Sequence, residues 1–100
     1  MTKDYRFTAR MWLYQGRAAW HFISLPAPIA EEIRFFAPRK GPGWGAVRVT
    51  VAIGGSTWQT SIFPDKESGT FVLPIKADIR KREALAIERD VTLALTVRCG

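Results

Sequence analysis

Cysteine is nearly absent from this chain: Cys99 stands alone, so neither a disulfide framework nor a cysteine-based metal site can be built. A reducing cytoplasm is therefore the expected setting. Histidine is as scarce, and any Ser-His-Asp triad or histidine-bearing zinc site would have to use His21. Placed on a strand between Trp20 and Phe22, that residue reads as a packed or surface histidine. No stretch approaches the roughly 18 apolar residues of a membrane span, and Met1 to Tyr5 is charged with no apolar segment behind it. Neither a membrane segment nor a signal peptide is expected. Nucleophile elbow, Walker A loop, dinucleotide fingerprint and HExxH are all missing. The chain is expected to be no enzyme and to carry no cofactor and no metal.

What is present suits one small domain spanning residues 1–100, with 47% hydrophobic, 12% aromatic and 24% charged residues. Fifteen Lys and Arg against nine Asp and Glu give a net charge of +6, which steers anions toward the surface without naming one. The basic residues are spread along the chain, and the clusters Arg39-Lys40 and Arg80-Lys81-Arg82 are shorter than a basic arm.

Local periodicity organises the chain. Tyr5, Phe7, Ala9, Met11 and Leu13 alternate with Arg6, Thr8, Arg10, Trp12 and Tyr14, the period of two that gives a strand one apolar face. After a turn at Gln15-Gly16-Arg17, Ala18 to Leu25 predicts a second strand paired to the first. Proline suits the first turn of a helix, and Pro28 to Phe36 predicts one, with Ile29, Ile33 and Phe36 on its inner face. Ala37 to Gly45 is a loop broken by proline and glycine. Val47 to Ile53, the Gly54-Gly55 turn and Ser56 to Phe63 predict a hairpin. Thr70 to Leu73 predicts a short strand, Pro74 opens a second helix through Ile75 and Ile79, and Asp90 to Arg98 predicts the last strand.

The order is thus β-β-α-β twice, and the halves share a motif: Leu25-Pro26 leads to Ile29-Ala30-Glu31-Glu32-Ile33-Arg34, and Leu73-Pro74 to Ile75-Lys76-Ala77-Asp78-Ile79-Arg80. A duplication accounts for this. Each unit alone would leave a three-stranded sheet with open edges. The predicted fold is mainly β, a six-stranded closed or nearly closed barrel of two β-β-α-β units with two capping helices.

The run Trp58 to Phe63, then Gly69 to Lys76, then Ile79-Arg80-Lys81, resembles a small bacterial family known as domain of unknown function 1905. Trp20 to Pro26 and Gly45 to Val49 are similar to its earlier blocks. The resemblance covers roughly Tyr5 to Val97 and implies a double-split barrel akin to AbrB-like proteins, with no known activity. The family usually has Gly-Asp before the last strand, where this chain has Arg89-Asp90. A left-handed Arg89 would cost about 1 kcal/mol, so another turn type is expected there.

Two features are candidates for binding. On the outer face of strand one, Arg10, Trp12 and Tyr14 interleave cation and aromatic, the arrangement that stacks bases and neutralises phosphates. The plainer reading is preferred: Trp12 and Tyr14 pack under a helix or loop, or against a second copy of the chain. In the glycine-rich loop, Arg39, Lys40 and Trp44 could present cations and backbone donors to a phosphate, although a plain connector needs no ligand. The expected function is a non-catalytic binding or interaction module for an unknown protein or small ligand, with homodimerisation open. The alternative is a nucleic-acid-binding small barrel.

Overall fold

A computed structural model describes residues 1–16, 19–36 and 45–98. Eight elements follow the expected order: β1 (Thr2–Leu13), β2 (His21–Ser24), α1 (Ala27–Phe36), β3 (Val47–Ile53), β4 (Ser56–Pro64), β5 (Phe71–Pro74), α2 (Ala77–Arg82) and β6 (Asp90–Arg98). The strands close into a six-stranded antiparallel barrel in the order β1-β2-β5-β4-β3-β6. Closure removes the free edges that a single half would expose.

The inward rows are those the alternation marks. Phe7 and Met11 of β1, the four apolar residues Val47, Val49, Val51 and Ile53 of β3, and Val91, Leu93, Leu95 and Val97 of β6 are buried. They pack with Ile23, Ile62, Phe71 and Leu73 into one core.

Exchanging β1 with β4, β2 with β5 and β3 with β6 leaves the ring of neighbours unchanged, as a twofold-related duplication requires. When Leu25-Pro26 is laid on Leu73-Pro74, Ser24 falls on Val72, and these two residues are also ladder partners. The pseudo-axis therefore crosses the wall between β2 and β5 at that pair.

The helices close opposite ends. Ile33 of α1 and Ile79 of α2, equivalent in the repeat, are only 1% and 3% exposed. Glu32 of α1 is held by Lys3 and by the Tyr5 hydroxyl (3.1 Å) at the start of β1. At the other end, the Ser56 hydroxyl donates to Glu83, the residue capping α2, at 2.6 Å. The segment after α2 returns to the far end of β1, where Glu88 N–H donates to the Met11 carbonyl at 2.8 Å.

Three local expectations are revised. The second strand is shorter than Ala18 to Leu25, because the hairpin ladder ends at Leu13 opposite His21, with Tyr14 N–H donating to the Trp20 carbonyl at 2.8 Å. Pro74 closes β5 instead of opening α2: it lies opposite Phe22, and Ile75 N–H continues the pairing to the His21 carbonyl at 2.9 Å. Phe36 is 42% exposed instead of facing the core, with the Lys3 ammonium 4.3 Å from its ring centre. Only Gly54 of the Gly54-Gly55 turn takes a positive φ, 56°, the requirement of a II′ hairpin.

The turn before β6 answers the question raised by Arg89-Asp90. Its left-handed residue is Glu88, φ 66°, with Arg89 N–H donating to the Ala86 carbonyl at 3.3 Å. Arg89 itself needs no unusual conformation.

Candidate functional site

Antiparallel register gathers one set of outward side chains onto the wall formed by β1, β2, β5 and β4. Trp12 lies opposite Phe22, Ser24 opposite Val72, and Val72 opposite Phe63. Because outward residues of neighbouring strands stand side by side, these positions form one continuous surface row.

The rings are set at different inclinations around Phe22. Trp12 is tilted at 41° with centroids 5.2 Å apart, Trp20 is stacked at 10° and 5.9 Å, and Tyr14 meets it edge-on at 79° and 6.3 Å. The Trp12 indole N–H donates to the Ser24 hydroxyl at 2.9 Å, which fixes the plane of that ring. Gly16 leaves room for Tyr14: a β-carbon at Gly16 would run into the tyrosine ring.

Facing these aromatics, β4 supplies Phe63 and Pro64, and the following turn supplies Asp65. Between the two sides is a cleft of about 360 Å³, with Val72 among its lining residues. Val72 is 8% exposed, whereas Tyr14, Trp20 and Phe63 are 51%, 50% and 41% exposed. Apolar surface of this kind clustered in a concavity marks a recognition site more often than scattered apolar residues do.

Asp65 is held by its own turn. Its N–H donates to the Thr70 carbonyl at 2.8 Å, its carbonyl accepts from Gly69 N–H at 2.9 Å, and carboxylate Oδ2 accepts from the Ser68 hydroxyl at 2.6 Å. Among the described residues, Asp65 is the only charged group lining the cleft.

The pseudo-symmetry shows that the barrel framework does not by itself call for the Trp12–Phe22 pair. Trp12 is paired with Phe22 in the first half, and the matching place in the second half holds Asp65 beside Thr70. The same framework accepts an acid and a threonine there, so the Trp12–Phe22 pair belongs to the first half alone.

The residues singled out from sequence are thus separated. Trp12 and Tyr14 share the cleft, Tyr14 exposed and Trp12 half-buried, and among the described residues no helix lines it. Arg10 is outside it, with its guanidinium 3.7 Å from Glu88 and 3.8 Å from Asp90 and its side chain 68% exposed. Arg39, Lys40 and Trp44 lie outside the described residues. Sequence reasoning missed Trp20, Phe22, Phe63, Pro64, Asp65 and Val72. For Phe22 the signal was its outward parity opposite Trp12; Phe63 and Asp65 are brought in by the other half of the chain.

His21 places Nδ1 3.2 Å from the Ala19 carbonyl. Among the described residues no group of three His, Cys, Asp or Glu is placed to hold a metal ion, and no helix is long and apolar enough to cross a membrane. On the wall opposite the aromatic cleft, a polar groove of about 340 Å³ runs between Arg48 and Arg98 past Thr50 and Thr96.

Fold and surface together define a small barrel of two interlocked halves, with an aromatic cleft cut into one wall. The chain belongs to the family described as Domain of unknown function (DUF1905), whose profile matches residues 7–95. No curated protein matches it.

Proposed function

We propose that this protein is a non-catalytic binding module of the cytoplasm that receives its ligand in the cleft between the β1–β2 hairpin and the end of β4. The observation carrying this reading is the set of five aromatic side chains, exposed Tyr14, Trp20 and Phe63 with half-buried Trp12 and Phe22, around one concavity of about 360 Å³. That volume lies near the lower end of the roughly 300 to 1,000 Å³ common for small-ligand sites. Keeping such rings in water forgoes burial worth about 25 cal/mol per Å², a loss that a bound ligand would recover.

Nucleic acid is the weaker reading. Stacking bases on these rings would call for cations beside them to meet the phosphates, yet Arg10 stands against two carboxylates and the described charge in the cleft is Asp65.

The test is a fragment screen followed in amide and indole NMR spectra. Binding that shifts Trp12, Trp20, Phe22 and Val72 together, and is lost in Trp20→Ala, supports the reading; Trp20 lies outside the strands, so the barrel should survive its removal. Shifts scattered over the barrel would refute it. Fluorescence anisotropy with a labelled single strand gives the competing outcome: submicromolar affinity at physiological salt, falling steeply with added salt, would replace a small ligand by nucleic acid.

A further inference from the structure

The geometry points to a ligand class for this cleft: a small alkylated ammonium compound of choline's type, its cationic head against the rings of Trp12, Trp20 and Phe22 and within the field of the Asp65 carboxylate. The inference rests on the cleft being the binding site and goes further by fixing the charge and chemistry of what enters it.

Charge is the first argument. The protein carries fifteen Lys and Arg and a net charge of +6, yet among the described residues none of those cations lines the cleft and the charged group that does is an acid. Ring faces add to the same sign, because the aromatic quadrupole is negative above the plane. With the Trp12 and Trp20 rings inclined by 41° and 10° to Phe22, aromatic faces are turned in more than one direction. Among the described residues, the charged group and the ring faces of this lining both favour a cation over an anion.

Hydration narrows the class. A primary ammonium brings three N–H donors that must be satisfied once water is stripped away, and this lining is dominated by apolar side chains. An alkylated ammonium has few or no N–H groups, loses little on desolvation, and still interacts with ring faces. Asp65 suits the remaining role. Its Oδ2 is engaged by Ser68, while Oδ1 accepts no hydrogen bond from the described residues, which leaves it available to the charge.

The divergence of the two halves fits this division of labour. The first contributes the Trp12–Phe22 pair and the second puts Asp65 at the equivalent place. Aromatic wall and carboxylate meet across the pseudo-axis.

The experiment titrates the intact protein with choline, tetramethylammonium and 3,3-dimethylbutan-1-ol, the neutral isostere of choline, reading the indole resonances of Trp12 and Trp20. Trp58, whose indole N–H is buried, is the internal control. Choline and tetramethylammonium are expected to shift both cleft indoles, with choline at least about tenfold tighter than the neutral alcohol, about 1.4 kcal/mol. Asp65→Asn is expected to cut that ratio to about threefold or less while leaving the alcohol unchanged, its spectrum confirming the fold.

Equal binding of choline and the alcohol would overturn the cationic assignment while leaving the cleft as a binding site. Silence of both cleft indoles toward every probe up to about 50 mM, well above the millimolar affinity that corresponds to about 4 kcal/mol, would overturn the cationic assignment; loss of the fragment hits as well would remove the site itself. A trimethyllysine peptide bound more tightly than choline would replace the small molecule by a modified protein and overturn the ligand assignment.

Discussion

Truncating either cap should destabilise the barrel to a similar degree, because Ile33 and Ile79 occupy equivalent places at opposite ends and are both almost wholly buried. Ile→Ala removes three carbons, about 2.4 kcal/mol at about 0.8 kcal/mol per buried methylene. The cavity left behind adds to that when neighbours cannot collapse into it. About 2 to 4 kcal/mol is expected for Ile33→Ala and for Ile79→Ala. In a domain of this size that corresponds to a fall in Tm of roughly 10 to 25 °C, a large share of the usual 5 to 15 kcal/mol of total stability. If the alanine variants do not fold, Ile33→Val and Ile79→Val keep the measurement accessible at about 0.5 to 1.5 kcal/mol each. The two sites lie on caps at opposite ends of the barrel, so the double valine variant should be additive to within about 0.5 kcal/mol. Urea unfolding followed by tryptophan fluorescence and by far-ultraviolet circular dichroism is the assay. A loss under about 0.5 kcal/mol for either alanine variant would refute the argument, since a buried isoleucine on a capping face cannot be that cheap to remove.

Further outcomes rest on single contacts. Ala84 sits at φ 54° just past α2, with Leu85 N–H donating to the Arg80 carbonyl at 2.8 Å as in a Schellman ending; Ala84→Gly should raise stability by about 1 kcal/mol in urea melts, and a decrease would show that the left-handed backbone is not under strain. Glu32 is held below its ordinary carboxyl value of 4.5, first by the Lys3 hydrogen bond and then by the Tyr5 hydroxyl. A depressed folded-state value stabilises the fold above the unfolded value, and that contribution is lost as pH falls through the folded one. Below about pH 4.5 the Tm of wild type should therefore drop more steeply than that of Glu32→Gln, and parallel curves would remove the Lys3–Glu32–Tyr5 contact from the stability of α1. Gly16→Ala should leave unfolding almost unchanged while displacing the Tyr14 ring, visible as altered tyrosine resonances and weaker cleft binding; unchanged resonances would show that Gly16 does not set that wall.

The chain's local chemistry determined the elements. Residues that alternate on a period of two faced inward in β1, β3 and β6, because one apolar face must leave water whatever the partner strand is. The repeated Leu-Pro and Ile-x-x-acid-Ile-Arg pattern likewise carried the two buried isoleucines of the caps and the closed barrel, since two identical half-sheets can hide their edges only against each other. Tertiary structure decided what periodicity is silent about. Pro74 reads locally as a helix opener, and pairing with Phe22 made it the end of β5. A left-handed residue was needed before β6, and the return of Glu88 to the Met11 carbonyl placed it one position ahead of Arg89. Arg10 and Trp12 share one strand face, but the start of β6 and the turn before it drew Arg10 toward Asp90 and Glu88 while β2 drew Trp12 toward Phe22. The cleft itself joins Trp12, Tyr14, Trp20 and Phe22 to Phe63, Asp65 and Val72, and that meeting depends on β2 choosing β5 as its neighbour, a long-range choice that no local pattern in the chain encodes.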